Sequence, residues 1–99
     1  MYAFVQEVPI DERVYEAIRT RLGDEPLRGL VVHLALKSED GRLRYVDVWE
    51  SEELCERAFD ERIHPAVHGA LQEAGVTVAG EPGREIVEVI DVWRGTAAP

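Results

Sequence analysis

The chain opens on Tyr2 to Val8, a short and mostly apolar run closed by Pro9, which predicts a first strand. Asp11 stands where a helix N-cap is wanted, Glu12 suits the first turn, and Val14, Ile18 and Leu22 recur at helical spacing before Gly23. A capping oxygen, an acid near the positive end of the helix dipole and a closing glycine together mark one helix. A polar connection with Pro26 and Gly29 follows. Leu30 to Leu36 is apolar apart from His33 and too short for a typical helix, so it predicts strand two. Ser38-Glu39-Asp40-Gly41 is turn chemistry, and Leu43 to Trp49 alternates as strand three. Ser51 caps a second helix with Glu52 and Glu53 in its first turn and Leu54, Ala58, Phe59 and Ile63 on its buried face. Proline has no N–H and clashes with the preceding turn, so Pro65 predicts a kink or break near His64. A second helical piece then carries Val67 and Leu71 and stops at Gly75. After Gly80-Glu81-Pro82-Gly83, Ile86 to Trp93 predicts strand four, and Gly95 to Pro99 is expected to fray. The order βαββαβ predicts an α+β, ferredoxin-like domain over residues 1–94 with a four-stranded antiparallel sheet.

Two helices cover only one face of such a sheet, yet strand two is apolar on both of its faces, the pattern of a doubly buried strand. Large residues also sit on both parities elsewhere, as in Phe4 with Val5, Val48 with Trp49 and Val92 with Trp93. The economical cover is a second copy, sheet against sheet about a two-fold axis, so a homodimeric α/β barrel is expected. A three-residue hairpin loop Glu39-Asp40-Gly41, with Gly41 left-handed, pairs His33 with Asp47, Ala35 with Tyr45 and Val31 with Trp49. It puts Val32, Leu34, Val46 and Val48 together on the other face. On this reading the aliphatic set lies under the helices, and His33, Tyr45, Asp47 and Trp49 look toward the partner.

Composition narrows the function classes. Eleven Lys and Arg against twenty Asp and Glu give a net charge of −9 over 99 residues. That balance argues against a nucleic-acid or anionic-membrane partner, whose binding surfaces are positive. One cysteine, Cys55, allows no internal disulfide and no Cys-rich zinc cage. The N-terminus has no basic region before an apolar run, so no signal peptide or membrane span is expected, and a cytoplasmic location follows.

The stretch Tyr45-Val46-Asp47-Val48-Trp49-Glu50-Ser51, running into Glu52-Glu53 and then Phe59, resembles the strand-to-helix junction of the dimeric α/β-barrel superfamily. Within it, the similarity is to the small antibiotic-biosynthesis-monooxygenase-like proteins, which often read V-W-E-S there. Gly29-Leu30-Val31-Val32-His33 resembles the histidine-bearing strand two of an uncharacterised branch. The likeness runs from about Tyr2 to Trp93. It implies the dimeric fold more firmly than an activity, since members include cofactor-independent oxygenases, haem-degrading enzymes, decarboxylase- or cyclase-like enzymes and proteins with no known reaction. The haem-degrading members carry an Asn on strand one and a His on the second long helix. Here Gln6 is the nearest strand-one amide, with His64 and His68 on the helix, and the missing Asn weighs against haem.

His33 interrupts an apolar strand, and a buried imidazole needs a hydrogen bond, which Asp47 can supply. A carboxylate on one ring nitrogen fixes the tautomer and raises the basicity of the other, so the pair reads as a general base or as a structural pair inside an interface. Tyr45 and Trp49 read either as the aromatic wall of a pocket for a flat ligand or as interface core. Gln6, His64 and His68 complete the candidate ligand-binding set. His64 and His68 have metal-ligand spacing but no clear third ligand, so no metal is expected, and Pro65 between them would make His64 a cap residue. Cys55 sits among Glu52, Glu53 and Glu56, which oppose a reactive thiolate. Two functions remain open: a cofactor-independent monooxygenase acting on a small aromatic or enolisable substrate, or a non-catalytic structural or ligand-binding homodimer.

Overall fold

The computed structural model describes residues 1–98. The elements run β1 (Tyr2–Val8), α1 (Glu12–Leu22), β2 (Leu30–Lys37), β3 (Leu43–Trp49), α2 (Glu52–Ala58), a π-helical turn (Phe59–Ile63), α3 (His64–Ala74) and β4 (Glu85–Val87). They form an α+β fold with one antiparallel sheet in the order β2-β3-β1-β4, an arrangement consistent with a ferredoxin-like layer. Asp11 caps α1 by accepting from the Val14 N–H, and Ser51 caps α2 by accepting from the Leu54 N–H. Gly75 ends α3 in the left-handed conformation. Two apolar clusters hold the helices in place: Val14 and Ile18 of α1 pack on Ala66 and Ala70 of α3, and Phe4 and Trp49 of the sheet pack on Cys55, Ala58 and Phe59.

Pro65 acts on the second helical stretch, but the chain does not break there. It widens into the π turn, where the His64 N–H donates to the Phe59 carbonyl five residues back, and α3 continues with His64 already helical. The wider turn relieves the clash a proline ring makes with the carbonyl four residues before it. His64 is thus both the C-terminal cap position of the π turn and the first residue of α3, with helical backbone, and it stands one helical turn from His68.

The hairpin closes with the Ser38 N–H donating to the Arg42 carbonyl, and Gly41 takes φ 86°. His33 lies opposite Asp47, Ala35 opposite Tyr45, Val32 opposite Val48 and Leu34 opposite Val46. The expected Val31–Trp49 pair does not form. Leu30 faces Trp49, and Val31 is the extra residue of a β-bulge that adjoins the His33 row. Beside it Gly29 holds φ 88°, accepts from the Glu50 N–H, and lies so close to Leu54 that a Cβ would sit 2.7 Å from the Leu54 Cβ.

The faces are the reverse of the expectation. His33, Tyr45, Asp47 and Trp49 point under the helices, in rows with Phe4, Gln6 and Tyr2 of β1. The aliphatic set is the open one: Val32, Leu34 and Leu36 are 39%, 45% and 42% exposed, with Val5, Val46 and Val48 half-buried beside them. The covered layer must fill space between sheet and helices, which Phe4 and Trp49 do with large rings. It can also hold polar groups, because α1 and β3 offer them partners. A smooth aliphatic face needs no hydrogen bonds and can be left for another surface.

Strand four is shorter than Ile86 to Trp93. Only Glu85–Val87 pairs, with Val5, Phe4 and Ala3, because continued antiparallel pairing reaches the end of β1 within two more residues. Ile90 and Trp93 are 90% and 89% exposed. Residues 95–98 are exposed and carry no regular structure, and Pro99 lies outside the described residues. Among the described residues no helix is long and apolar enough to cross a membrane.

Candidate functional site

Between the sheet and the helices lies a cavity of about 850 Å3. His33, Asp47, Tyr45, Trp49, Gln6, His64 and His68 all line it, so the residues singled out by sequence converge on one site. Its walls are otherwise mainly apolar, with Leu30, Phe59, Ile63, Val67 and Leu71 prominent. That composition suits a ligand with an apolar body and a few polar handles.

The polar wall is a single chain of hydrogen bonds. Asp47, 3% exposed, accepts from His33 Nδ1 at 2.6 Å through one carboxylate oxygen and from Trp49 Nε1 at 3.1 Å through the other. A carboxylate only accepts, so the neutral imidazole carries its proton on Nδ1 and leaves Nε2 as an acceptor. Tyr15 Oη, at 3.0 Å, donates to that Nε2. Tyr45 packs edge-on against the imidazole with ring centroids 4.9 Å apart, holding its plane. No buried side-chain polar atom among the described residues lacks a hydrogen-bond partner. Burial holds the Tyr45 phenol well above its usual range, with Tyr15 and Asp47 adding to the effect. Burial also raises Tyr15, with Asp47 adding to it and Arg19 opposing both. Both phenols are therefore neutral at physiological pH.

Across the cavity, the rings of His64 and His68 stack at 6.5 Å. His64 lies 3.8 Å from Asp60 and 3.6 Å from Glu81. Gln6 Nε2 donates to the Pro82 carbonyl at 2.8 Å, which ties the loop after α3 to β1. Among the described residues no group of three or more His, Cys, Asp or Glu side chains is placed to hold a metal ion.

Sequence reasoning missed Tyr15 and Arg84. Tyr15 was legible, since it shares the i, i+3, i+7 stripe with Ile18 and Leu22. Arg84 had no such signal. Its guanidinium lies 4.7 Å from the Phe4 ring centre and 4.5 Å from that of Phe59, and bonds Tyr2 Oη, Glu56 and Glu81. Burial works against its charge, but Tyr2 and Glu56 outweigh that and raise its pKa.

Cys55 is fully buried, and burial pushes its thiol up to about 12; Arg84 opposes the shift, while Glu56, Asp47 and Glu52 add to it. The folded value lies above the ordinary 9.0, so the stability this thiol contributes is complete below pH 9 and is lost as pH rises toward 12. We expect the denaturation midpoint to fall across that window and Cys55→Ala to flatten the fall. Rapid labelling of native Cys55 by a thiol reagent at neutral pH would contradict this placement. No family model matches the chain, and no curated protein matches it.

Proposed function

We propose that the protein binds a small aromatic or enolisable molecule in this cavity and ionises it with the His33–Asp47 base, as a cofactor-independent monooxygenase of the antibiotic-biosynthesis-monooxygenase-like kind. The observation that carries the reading is His33 in the wall of a mainly apolar cavity, with Asp47 on Nδ1 holding the ring in the tautomer whose Nε2 is basic. Taking the proton from a phenol leaves an electron-rich anion in a site of low polarity. With dioxygen as oxidant, one oxygen atom ends on the ring carbon as a quinone carbonyl and the other leaves as water. Phenol and dioxygen thus give quinone and water.

We further propose that the chain works as a homodimer, with the aliphatic face as the contact. That face is the apolar surface the helices leave open, and a second copy offers the same face to it about a two-fold axis. Each protomer then holds its own cavity under its own helices. The strand-like run Val89 to Trp93, which extends past the end of β1, suits pairing with a partner's sheet.

A non-catalytic ligand-binding dimer is the second reading, favoured by the fact that both His33 ring nitrogens already have partners. Occupancy is tested by Trp49 fluorescence in Trp93→Phe, since the chain has two tryptophans and Trp93 is the exposed one. We expect 4-nitrophenol to quench Trp49 saturably, and Val67→Phe, which fills the cavity, to weaken this at least about tenfold. Purely collisional quenching, equal in both proteins, would remove the ligand site.

A further inference from the structure

His33 Nε2 is not open to a ligand, because the Tyr15 hydroxyl already occupies it at 3.0 Å. Tyr15 belongs to α1 and faces the same cavity, half-buried, with its ring nearly parallel to the imidazole, 7° between their planes. A ligand hydroxyl must therefore expel Tyr15 from the nitrogen or work through it. Expulsion would break a good bond and need room for a ring that also packs on Tyr45 at 5.7 Å. The second lone pair of the phenol oxygen, by contrast, is free to accept.

We infer that Tyr15 is the catalytic residue that meets the ligand, and that His33 acts through it. The inference rests on the reading of His33–Asp47 as a base. The ligand O–H bond breaks as its proton passes to Tyr15 Oη, while the proton already on Tyr15 passes to His33 Nε2. The products are a ligand oxyanion, hydrogen-bonded by a re-formed Tyr15 O–H, and an imidazolium whose charge is compensated by Asp47. One O–H bond is lost at the ligand, one N–H bond is gained at His33, and Tyr15 ends as it began. Burial, which disfavours a standing tyrosinate, suits this concerted passage because the phenol is never left charged. Trp49 Nε1, bonded to the second Asp47 oxygen, anchors the far end of the chain.

The test uses 4-nitrophenol, whose anion absorbs visible light and whose neutral form does not, with the bound ionised fraction read in wild type, Tyr15→Phe and His33→Gln. We expect wild type to favour the bound anion, and Tyr15→Phe to bind a non-ionisable nitrobenzene within about threefold while losing at least about tenfold in the ionised-to-neutral ratio of bound 4-nitrophenol. Fluorinated tyrosine at position 15, which keeps the fold and makes the phenol more acidic, is expected to change that ratio without changing the binding of a non-ionisable nitrobenzene. If Tyr15→Phe ionises the probe as well as wild type and His33→Gln does not, Tyr15 is only a plug and the inference falls while the base stands. If His33→Gln also ionises it normally, or if wild type favours no anion, the base reading falls and takes the inference with it.

Discussion

Asp47→Ala should destabilise the protein by about 3–5 kcal/mol, lowering the melting temperature by at least about 10 °C. The side chain is almost fully buried and is the acceptor for both the His33 Nδ1–H and the Trp49 Nε1–H. Alanine leaves the buried Trp49 Nε1–H and the half-buried His33 Nδ1–H with nothing to bond, which costs more than the interaction itself was worth. Asp47→Asn should cost less, about 1–3 kcal/mol, because its carbonyl can still accept from one donor while its amide cannot accept from the other. Thermal melts at one fixed protein concentration check both. Equal, small losses would mean that water enters this wall of the cavity and the chain of bonds is not closed.

Leu34→Asp should leave the protomer folded and abolish the dimer. Leu34 is 45% exposed on the open face, so a carboxylate there remains solvated in a single chain. In a contact between two such faces it becomes an unpaired charge in apolar surroundings, which costs several kcal/mol, or at least about a hundredfold in the dissociation constant. Light scattering at micromolar concentration should give twice the chain mass of 11.2 kDa for wild type and the chain mass for the variant. A wild-type mass of 11.2 kDa would sink the dimer but not the cavity, since each cavity lies within one protomer.

Local signals carried most of the fold. Alternation and capping gave β1, β3 and α1 their observed ends, because Pro9, Asp11 and Gly23 act through their own backbone and side chains. The hairpin register was equally local, set by Gly41 and by the sorting of residues into two faces. Period two says which residues share a face, however, and not which face meets the helices. The register sorted His33, Tyr45, Asp47 and Trp49 onto one face, and the expected barrel turned that face toward a partner. Tyr15 overturns that, since it supplies from α1 the bond that lets His33 lie there. The length of β4 depends on where β1 begins, and the π turn on how Pro65 is absorbed, so neither was readable from its own residues alone.

His33, poised by Asp47 with its proton on Nδ1, is proposed to ionise a ligand inside the cavity. Nitrogen-15 NMR of histidine-labelled protein at about pH 8, where a free imidazole is neutral, reads each ring nitrogen separately. With His33→Gln assigning the signals, Nδ1 of His33 should be protonated and Nε2 an acceptor. Saturating 4-nitrophenol should move Nε2 toward the imidazolium position, and Val67→Phe should raise the concentration needed at least about tenfold. A His33 proton found on Nε2, or a His33 spectrum unmoved at saturation, would contradict the account.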